Sequence, residues 1–96
     1  MYAIVSISTH LPGKLDEGIK LARNSFIPTM KEQKGFKGAF LFTNRDTGKY
    51  IAISMWNTEA DRKAWESSAA FQEVAKSGSL LAVPGTREYY EVSAQG

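Results

Sequence analysis

The fold is decided by residues 50–71, YIAISMWNTEADRKAWESSAAF, where a strand, a capped turn and a helix follow one another without interruption. The run 50–56 is rich in β-branched and aromatic residues and predicts a strand. Thr58 is typical of a helix N-cap, and Asp61 follows at the capping-box spacing, where the helix dipole favours an acid. The segment therefore predicts a strand-to-helix corner with its own start signal.

Both tryptophans of the chain lie in this segment, Trp56 at the end of the strand and Trp65 midway along the helix. Ser67 and Ser68 come shortly after Trp65, and serine favours helix caps over helix interiors. We therefore predict a break at these two serines and a further helix over 69–76.

Two strands precede the segment. Residues 2–8 (YAIVSIS) and 36–43 (FKGAFLFT) are short runs of strand-forming residues. The loop 44–49 contains Gly48, which supplies the positive φ that tight hairpin turns need. The sequence therefore predicts an antiparallel hairpin of 36–43 with 50–56.

Residues 14–34 predict a long amphipathic helix between the first two strands. Its apolar stripe consists of Leu15, Ile19, Ala22, Phe26 and Met30. Pro28 removes a hydrogen bond to the carbonyl of Asn24, so we expect a kink or a division of the helix there. Gly35 is the expected C-cap glycine.

The C-terminal part begins with the expected helix end at Gly78 and an apolar loop, 79–85, with a Pro-Gly turn. The apolar residues of the loop are Leu80, Leu81 and Val83. The sequence leaves open whether this loop crosses to a partner subunit or folds over a pocket. Residues 86–92 predict the last strand, and 93–96 form a polar tail.

Composition excludes several classes of function. Ninety-six residues make a single domain, 1–96, and the net charge of +2 is spread along the chain without a basic cluster, which speaks against nucleic-acid binding. The absence of Cys and the presence of one His exclude Cys-ligated zinc and multi-histidine metal sites. No apolar stretch is long enough for a membrane span or a signal segment, so we expect a soluble, cytoplasmic protein.

The element order is β-α-β-β-α-β, which predicts a ferredoxin-like α+β fold with a four-stranded antiparallel sheet and two helices on one face. Side chains alternate along strands, and both faces of this sheet are apolar. In the first strand, Ala3, Val5 and Ile7 point to one face and Tyr2 and Ile4 to the other. In the second strand, Phe40 and Phe42 oppose Ala39 and Leu41, and in the third, Ile51, Ile53 and Met55 oppose Tyr50, Ala52 and Trp56.

The two helices can cover only one of these faces. A large exposed apolar patch on a small protein usually marks an interface. We therefore predict a homodimer in which the uncovered faces of two sheets stack on each other.

The chain resembles the antibiotic biosynthesis monooxygenase-type domains of the dimeric α+β barrel superfamily. The resemblance covers residues 2–92 and rests on the βαββαβ order and on three local motifs. The motifs are the GFKG run after the first helix, Met55-Trp56 at the strand end, and the spacing of Thr58, Trp65 and Ser68. It implies a dimeric α+β barrel and oxygenation of a flat aromatic, such as a quinol or a polyketide-like anthrone, without metal or cofactor.

The heme-degrading branch of the family is disfavoured. The resemblance places its axial histidine at Ala75 and its first-strand asparagine near Ser6. Without an axial imidazole, the chain is not expected to ligate heme in that manner.

Candidate site residues follow from the same comparison and from residue chemistry. We expect Trp65, His10 and Asp61 in catalysis, with His10 or Asp61 as the base. The residues expected to contact the substrate are Phe26, Phe71, Ser6 and Trp56. A break at Ser67-Ser68 could bring Trp65 and Phe71 onto one cavity.

Each of these residues also has a structural interpretation. Trp65, Trp56, Phe26 and Phe71 suit a core, His10 suits a solvated loop, and Asp61 suits a helix terminus. Arg87 suits either a pocket or a surface ion pair. The alternative function is therefore a non-catalytic dimeric domain of the same fold that binds a small apolar ligand or none.

Overall fold

Four antiparallel strands form one sheet in the computed structural model, which describes residues 1–76 and 80–96, with the backbone alone at 82–84. The strands are β1 Tyr2–His10, β2 Phe36–Asn44, β3 Lys49–Trp56 and β4 Leu81–Glu91. Their order across the sheet is β2-β3-β1-β4, so the two strands nearest the chain ends are neighbours. The predicted ferredoxin-like arrangement is confirmed.

Two helical regions connect the strands, and each is divided. The segments are α1 Leu15–Leu21, a π-helical turn Ala22–Phe26, α2 Ile27–Lys31, α3 Glu59–Glu66 and α4 Ala69–Ala75. In the π-helical turn, the N–H of Ile27 donates to the carbonyl of Ala22, five residues back. The turn directly precedes Pro28 in the first turn of α2, where proline is tolerated. The predicted irregularity at Pro28 is confirmed, as a widened turn before it.

The predicted corner and break in 50–71 are confirmed by their caps. The hydroxyl of Thr58 accepts a hydrogen bond from the N–H of Asp61 at 3.0 Å and starts α3. The hydroxyl of Ser68 accepts one from the N–H of Phe71 at 3.1 Å and starts α4. Because Ser68 supplies its own cap, the chain turns between α3 and α4 instead of continuing as one helix.

The helices cover one face of the sheet. Strand pairing sets Ile4 opposite Ser54, which places Ile4, Ser54 and Trp56 on the same face. Ile4, Trp56 and Trp65 form a buried cluster, and Trp56 has 0% exposure. The indole N–H of Trp56 donates to the hydroxyl of Ser54 at 3.0 Å, so the buried ring has its polar atom paired.

The other face carries none of the helices in the part of the chain that the structure describes. Its apolar side chains come from all four strands, and three of its aromatic rings are about half exposed: Phe40 at 55%, Phe42 at 53% and Tyr90 at 51%. Phe40 and Phe42 are parallel, with ring centroids 6.1 Å apart. The division of the sheet into a covered and an uncovered apolar face agrees with the sequence pattern.

Two strand ends differ from the sequence prediction. Strand β1 continues to His10, because the N–H of His10 donates to the carbonyl of Gly48 at 3.0 Å. Strand β4 begins at Leu81, so the predicted loop 79–85 is wrong over its last five residues. The pairing of β1 with β4 is irregular beyond Ile7, and this irregularity absorbs the Pro-Gly pair that had indicated a turn. Gly78 and Ser79 lie outside the described residues.

Candidate functional site

A cavity of about 290 Å³ lies between the helices and the covered face of the sheet. The small residues on its floor come from β1, β2 and β3. They are Ser6, Ser8, Ala39 and Ala52. Small side chains leave a gap between two layers that large apolar residues would otherwise fill. The cavity is therefore a consequence of the residue sizes on this face.

The apolar wall of the cavity is aromatic. The rings of Trp65 and Phe71 meet edge to face, with centroids 5.7 Å apart and an interplanar angle of 80°. Trp56 stacks behind Trp65 at 5.7 Å and 20°. Phe26, from the π-helical turn, lines the cavity as well. Since the Ser68 hydroxyl caps α4 and also donates to the carbonyl of Trp65 at 2.6 Å, one side chain fixes the corner that brings these rings together.

His10 lies at the end of the cavity near the end of β1. It is 7% exposed, and its ring contacts the ring of Tyr50, with centroids 4.6 Å apart and an interplanar angle of 33°. Burial lowers the pKa of His10 below 6.5, so the imidazole is neutral at pH 7. The Nδ1 atom is buried without a hydrogen-bond partner among the described residues. The solvated-loop interpretation of His10 is therefore wrong.

Gly18 of α1 covers the imidazole of His10. A Cβ at this position would collide with Nε2 of His10. Only glycine lets α1 come this close to the sheet. Beneath the helix, burial raises the pKa of Tyr50 to about 12, so this phenol stays protonated at neutral pH.

Arg87 lies at the cavity on β4, paired in register with Ser6. Its guanidinium carbon is 4.5 Å from the centroid of the Phe71 ring. Glu66 accepts hydrogen bonds from Arg87 at 3.1 Å and, through its other oxygen, from Arg62 at 2.9 Å. Arg62 is also paired with Glu59, at 3.6 Å, so the two guanidiniums are matched by two carboxylates. Arg87 is the cationic side chain among the described residues that line the cavity.

The structure brings together five of the seven predicted site residues. Those that line the cavity are Trp65, His10, Phe26, Phe71 and Ser6. Trp56 supports Trp65 from behind and does not line the cavity. Asp61 is buried against Gly35, where its carboxylate occupies the space of the missing Cβ, and it does not line the cavity either. The helix-terminus interpretation suits Asp61 better than the role of a base.

Sequence reasoning missed Tyr50 and Gly18 as parts of the site. Strand alternation was a usable signal for Tyr50, because it shares the covered face with Ile4. Gly18 gave no such signal, since a glycine inside a helical pattern does not reveal what lies beneath it.

The described residues, 1–76 and 80–96, contain neither a metal cluster nor a membrane-spanning helix. No group of three or more His, Cys, Asp or Glu side chains within these ranges is arranged to hold a metal ion. Within the same ranges, no helix is both long and apolar enough to span a membrane.

Comparison with known proteins supports the fold. A sequence model described as antibiotic biosynthesis monooxygenase matches residues 1–77. No curated protein sequence matches the chain. A monooxygenase from Streptomyces coelicolor, solved with the ligand nanaomycin D, is similar with a TM-score of 0.82 and 17% identity; the match covers 99% of this chain and 88% of that one.

Two other solved structures are similar at the same level. SnoaB, a cofactor-independent oxygenase from Streptomyces nogalater, has a TM-score of 0.80 and 18% identity, with 98% of this chain and 94% of that one covered. A protein of unknown function from Nitrosomonas europaea has a TM-score of 0.82 and 18% identity, with coverage of 99% and 91%. At such identities the likeness establishes the fold and leaves the chemistry to the residues of the cavity.

Proposed function

Because the chain belongs to the antibiotic biosynthesis monooxygenase family, we propose that it is a cofactor-independent monooxygenase acting on a small flat aromatic, either a quinol or a polyketide-like anthrone. The observation that carries this proposal is the aromatic cavity beside Trp65 and Phe71. Its volume of about 290 Å³ is near the lower end of the range for small-molecule sites. Flat aromatic walls favour a flat aromatic ligand.

The substrate supplies the electrons in this chemistry. A deprotonated, electron-rich ring donates an electron to O₂, and the two radicals combine to form a C–O bond and a hydroperoxide. For an anthrone, loss of water from the hydroperoxide converts the CH₂ group into a carbonyl, so one oxygen atom enters the product and the other leaves as water. The protein contributes a dry cavity and orientation.

Three groups of the cavity have roles in this proposal. Trp65 and Phe71 hold the ring plane, with Trp56 behind them. Arg87 is the cationic side chain beside the cavity, with Glu66 as its ion-pair partner, and it stabilises the anion of the substrate. His10 is neutral and is the candidate proton acceptor, whereas Asp61 is no longer a candidate because it lies away from the cavity.

Oxygen uptake tests this function. Naphthoquinol and anthrone are supplied to the protein, and the consumption of O₂ is compared with their spontaneous oxidation. We expect faster uptake with the protein and slower uptake with Trp65→Phe and His10→Ala. Turnover no faster than the spontaneous rate would remove the proposal for these substrates.

We also propose a homodimer through the uncovered face of the sheet. Support comes from the half-exposed rings of Phe40 and Phe42 and from the apolar side chains around them. Each large side chain left in water forgoes about 1.5–3 kcal/mol of burial energy. A second copy stacked face to face would recover this energy for both copies. Light scattering is expected to give twice the chain mass, and a monomer at micromolar concentration would contradict the proposal.

A second candidate function is ligand binding without catalysis. Phe71 has no phenol to donate a proton, which favours this alternative. Ala75 lines the cavity at the position where the resemblance places an axial histidine and has no atom that could ligate iron, so the residues do not fit heme. Binding of an aromatic without oxygen uptake would favour this candidate.

A further inference from the structure

We propose that one end of the cavity, formed by His10, Tyr50, Ser8 and Gly18 and called here the His10 end, binds an uncharged hydroxyl group of the ligand. The proposal rests on the proposed function in taking the cavity as the substrate site. It goes beyond that function by naming the chemical group that is recognised and by adding Tyr50 and Ser8 as binding residues.

The His10 end is built by close packing from two layers. The imidazole of His10 lies on the ring of Tyr50 at 4.6 Å and 33°, so Tyr50 fixes one face of the imidazole. Gly18 of α1 covers the nitrogen edge, where a side chain would collide with Nε2. Ser8 stands opposite Tyr50 in the pairing of β1 with β3. Polar side chains therefore converge at one end of an otherwise largely apolar cavity.

One ring nitrogen of His10, Nδ1, is available for a hydrogen bond to a ligand. The side chain is more than nine-tenths buried, and Nδ1 has no partner among the described residues. A buried polar atom without a partner is costly and often marks a functional site. A neutral imidazole offers one N–H donor and one acceptor nitrogen, and a hydroxyl can both donate and accept. A hydroxyl therefore complements His10 in either tautomer, whereas an ether oxygen can only accept.

The charges around the His10 end favour an uncharged group. The residues that face His10 from the neighbouring elements are Tyr50 on β3, Gly18 on α1 and Leu81 on β4, and none carries a formal charge. The raised pKa of Tyr50 and the lowered pKa of His10 keep both groups neutral at pH 7. An ionised ligand group would be buried here without a counter-charge, which is costly.

The charged residue among those lining the cavity, within the described ranges, is Arg87, and it lies at a distance from His10. Arg87 is paired with Ser6, which precedes His10 by four residues, or about 13 Å along β1. The cavity therefore has a cationic side chain at one place along its floor and uncharged polar side chains at the His10 end. A ligand that uses both ends places the oxygen that carries its anionic charge near Arg87 and, in the complex that precedes proton transfer to His10, an un-ionised hydroxyl near His10.

The experiment uses two probes that differ in one group, 1-naphthol and 1-methoxynaphthalene, with the full chain in the absence of O₂. Because the chain contains one histidine, its imidazole nitrogens can be followed without assignment in long-range ¹H–¹⁵N NMR spectra. Affinities are measured by calorimetry for the wild type, for Tyr50→Phe and for the control Tyr90→Phe. Tyr90 lies on the uncovered face, so its phenol is outside the cavity.

We expect 1-naphthol to move the imidazole signals more than 1-methoxynaphthalene does, because the ether oxygen can accept but not donate a hydrogen bond. Tyr50→Phe is expected to weaken 1-naphthol about tenfold, which corresponds to about 1.4 kcal/mol, without changing the affinity for the ether. Imidazole signals that stay in place at saturating 1-naphthol would overturn the proposal, as would failure of both probes to bind. The NMR spectra of the wild type test the proposal by themselves, even if a variant does not fold. Failure of oxygen uptake overturns the proposed function and leaves this binding result standing.

Discussion

Replacement of Gly18 by alanine tests the packing of α1 on His10. The new Cβ would collide with the imidazole, which is buried and in contact with the Tyr50 ring. Overpacking costs about 1–3 kcal/mol. Alanine is also a better helix former than glycine by about 0.8–1 kcal/mol. We therefore expect Gly18→Ala to reduce the free energy of unfolding by about 1 kcal/mol.

The same replacement is expected to change sign when His10 is shortened. In the His10→Ala background the collision is removed, so the helix propensity of alanine remains and Gly18→Ala should stabilise by about 0.8–1 kcal/mol. Urea unfolding of the wild type, both single variants and the double variant gives the coupling between the two positions, expected at about 1–3 kcal/mol. Equal effects of Gly18→Ala in both backgrounds would refute the close packing of α1 on the imidazole.

Three further predictions follow from the structure. Because burial lowers the pKa of His10, the unfolded chain binds a proton more readily than the folded chain between that pKa and 6.5. The contribution of His10 to the free energy of unfolding is therefore complete above pH 6.5 and is lost on acidification. Urea unfolding from pH 7.5 to 5 should show a smaller fall in this free energy for His10→Ala than for the wild type. Ser68→Ala removes the cap of α4 and should reduce the free energy of unfolding by about 1 kcal/mol, which lowers the melting temperature by about 4–8 °C. The control Ser67→Ala should change the melting temperature little. Equal shifts for the two variants would contradict the assignment of the cap. Phe40→Glu puts a charge into the proposed dimer interface and should give a monomer in sedimentation, and a dimer that persists would place the interface elsewhere.

The local signals in residues 50–71 predicted the fold well. Thr58 and Ser68 act within a few residues of their own positions, so their caps can be read from the sequence alone. The same is true of Gly48, which has the expected positive φ of 77° in the β2–β3 hairpin. Alternation along the strands also identified the two apolar faces, since side-chain direction repeats every two residues.

The features that were missed depend on contacts between distant parts of the chain. His10 was read as part of a loop because it follows the predicted strand 2–8, yet pairing with β3 and β4 extends the strand through it. The start of β4 at Leu81 was missed for the same reason, since a Pro-Gly pair indicates a turn unless an irregular strand pairing absorbs it. Asp61 was a candidate base from its spacing, but its contact with Gly35 follows from the packing of α3 on the loop before β2.

Oxidation of anthrone under ¹⁸O₂ tests the central claim most directly. A monooxygenase that draws its electrons from the substrate consumes one O₂ for each molecule of product and places one ¹⁸O atom in the new carbonyl. We expect this stoichiometry, a rate above that of the spontaneous reaction, and a lower rate for Trp65→Phe, whose smaller ring leaves part of the aromatic wall unfilled. Saturable binding of anthrone with no oxygen uptake above the spontaneous rate would contradict the account and identify the protein as a ligand-binding domain.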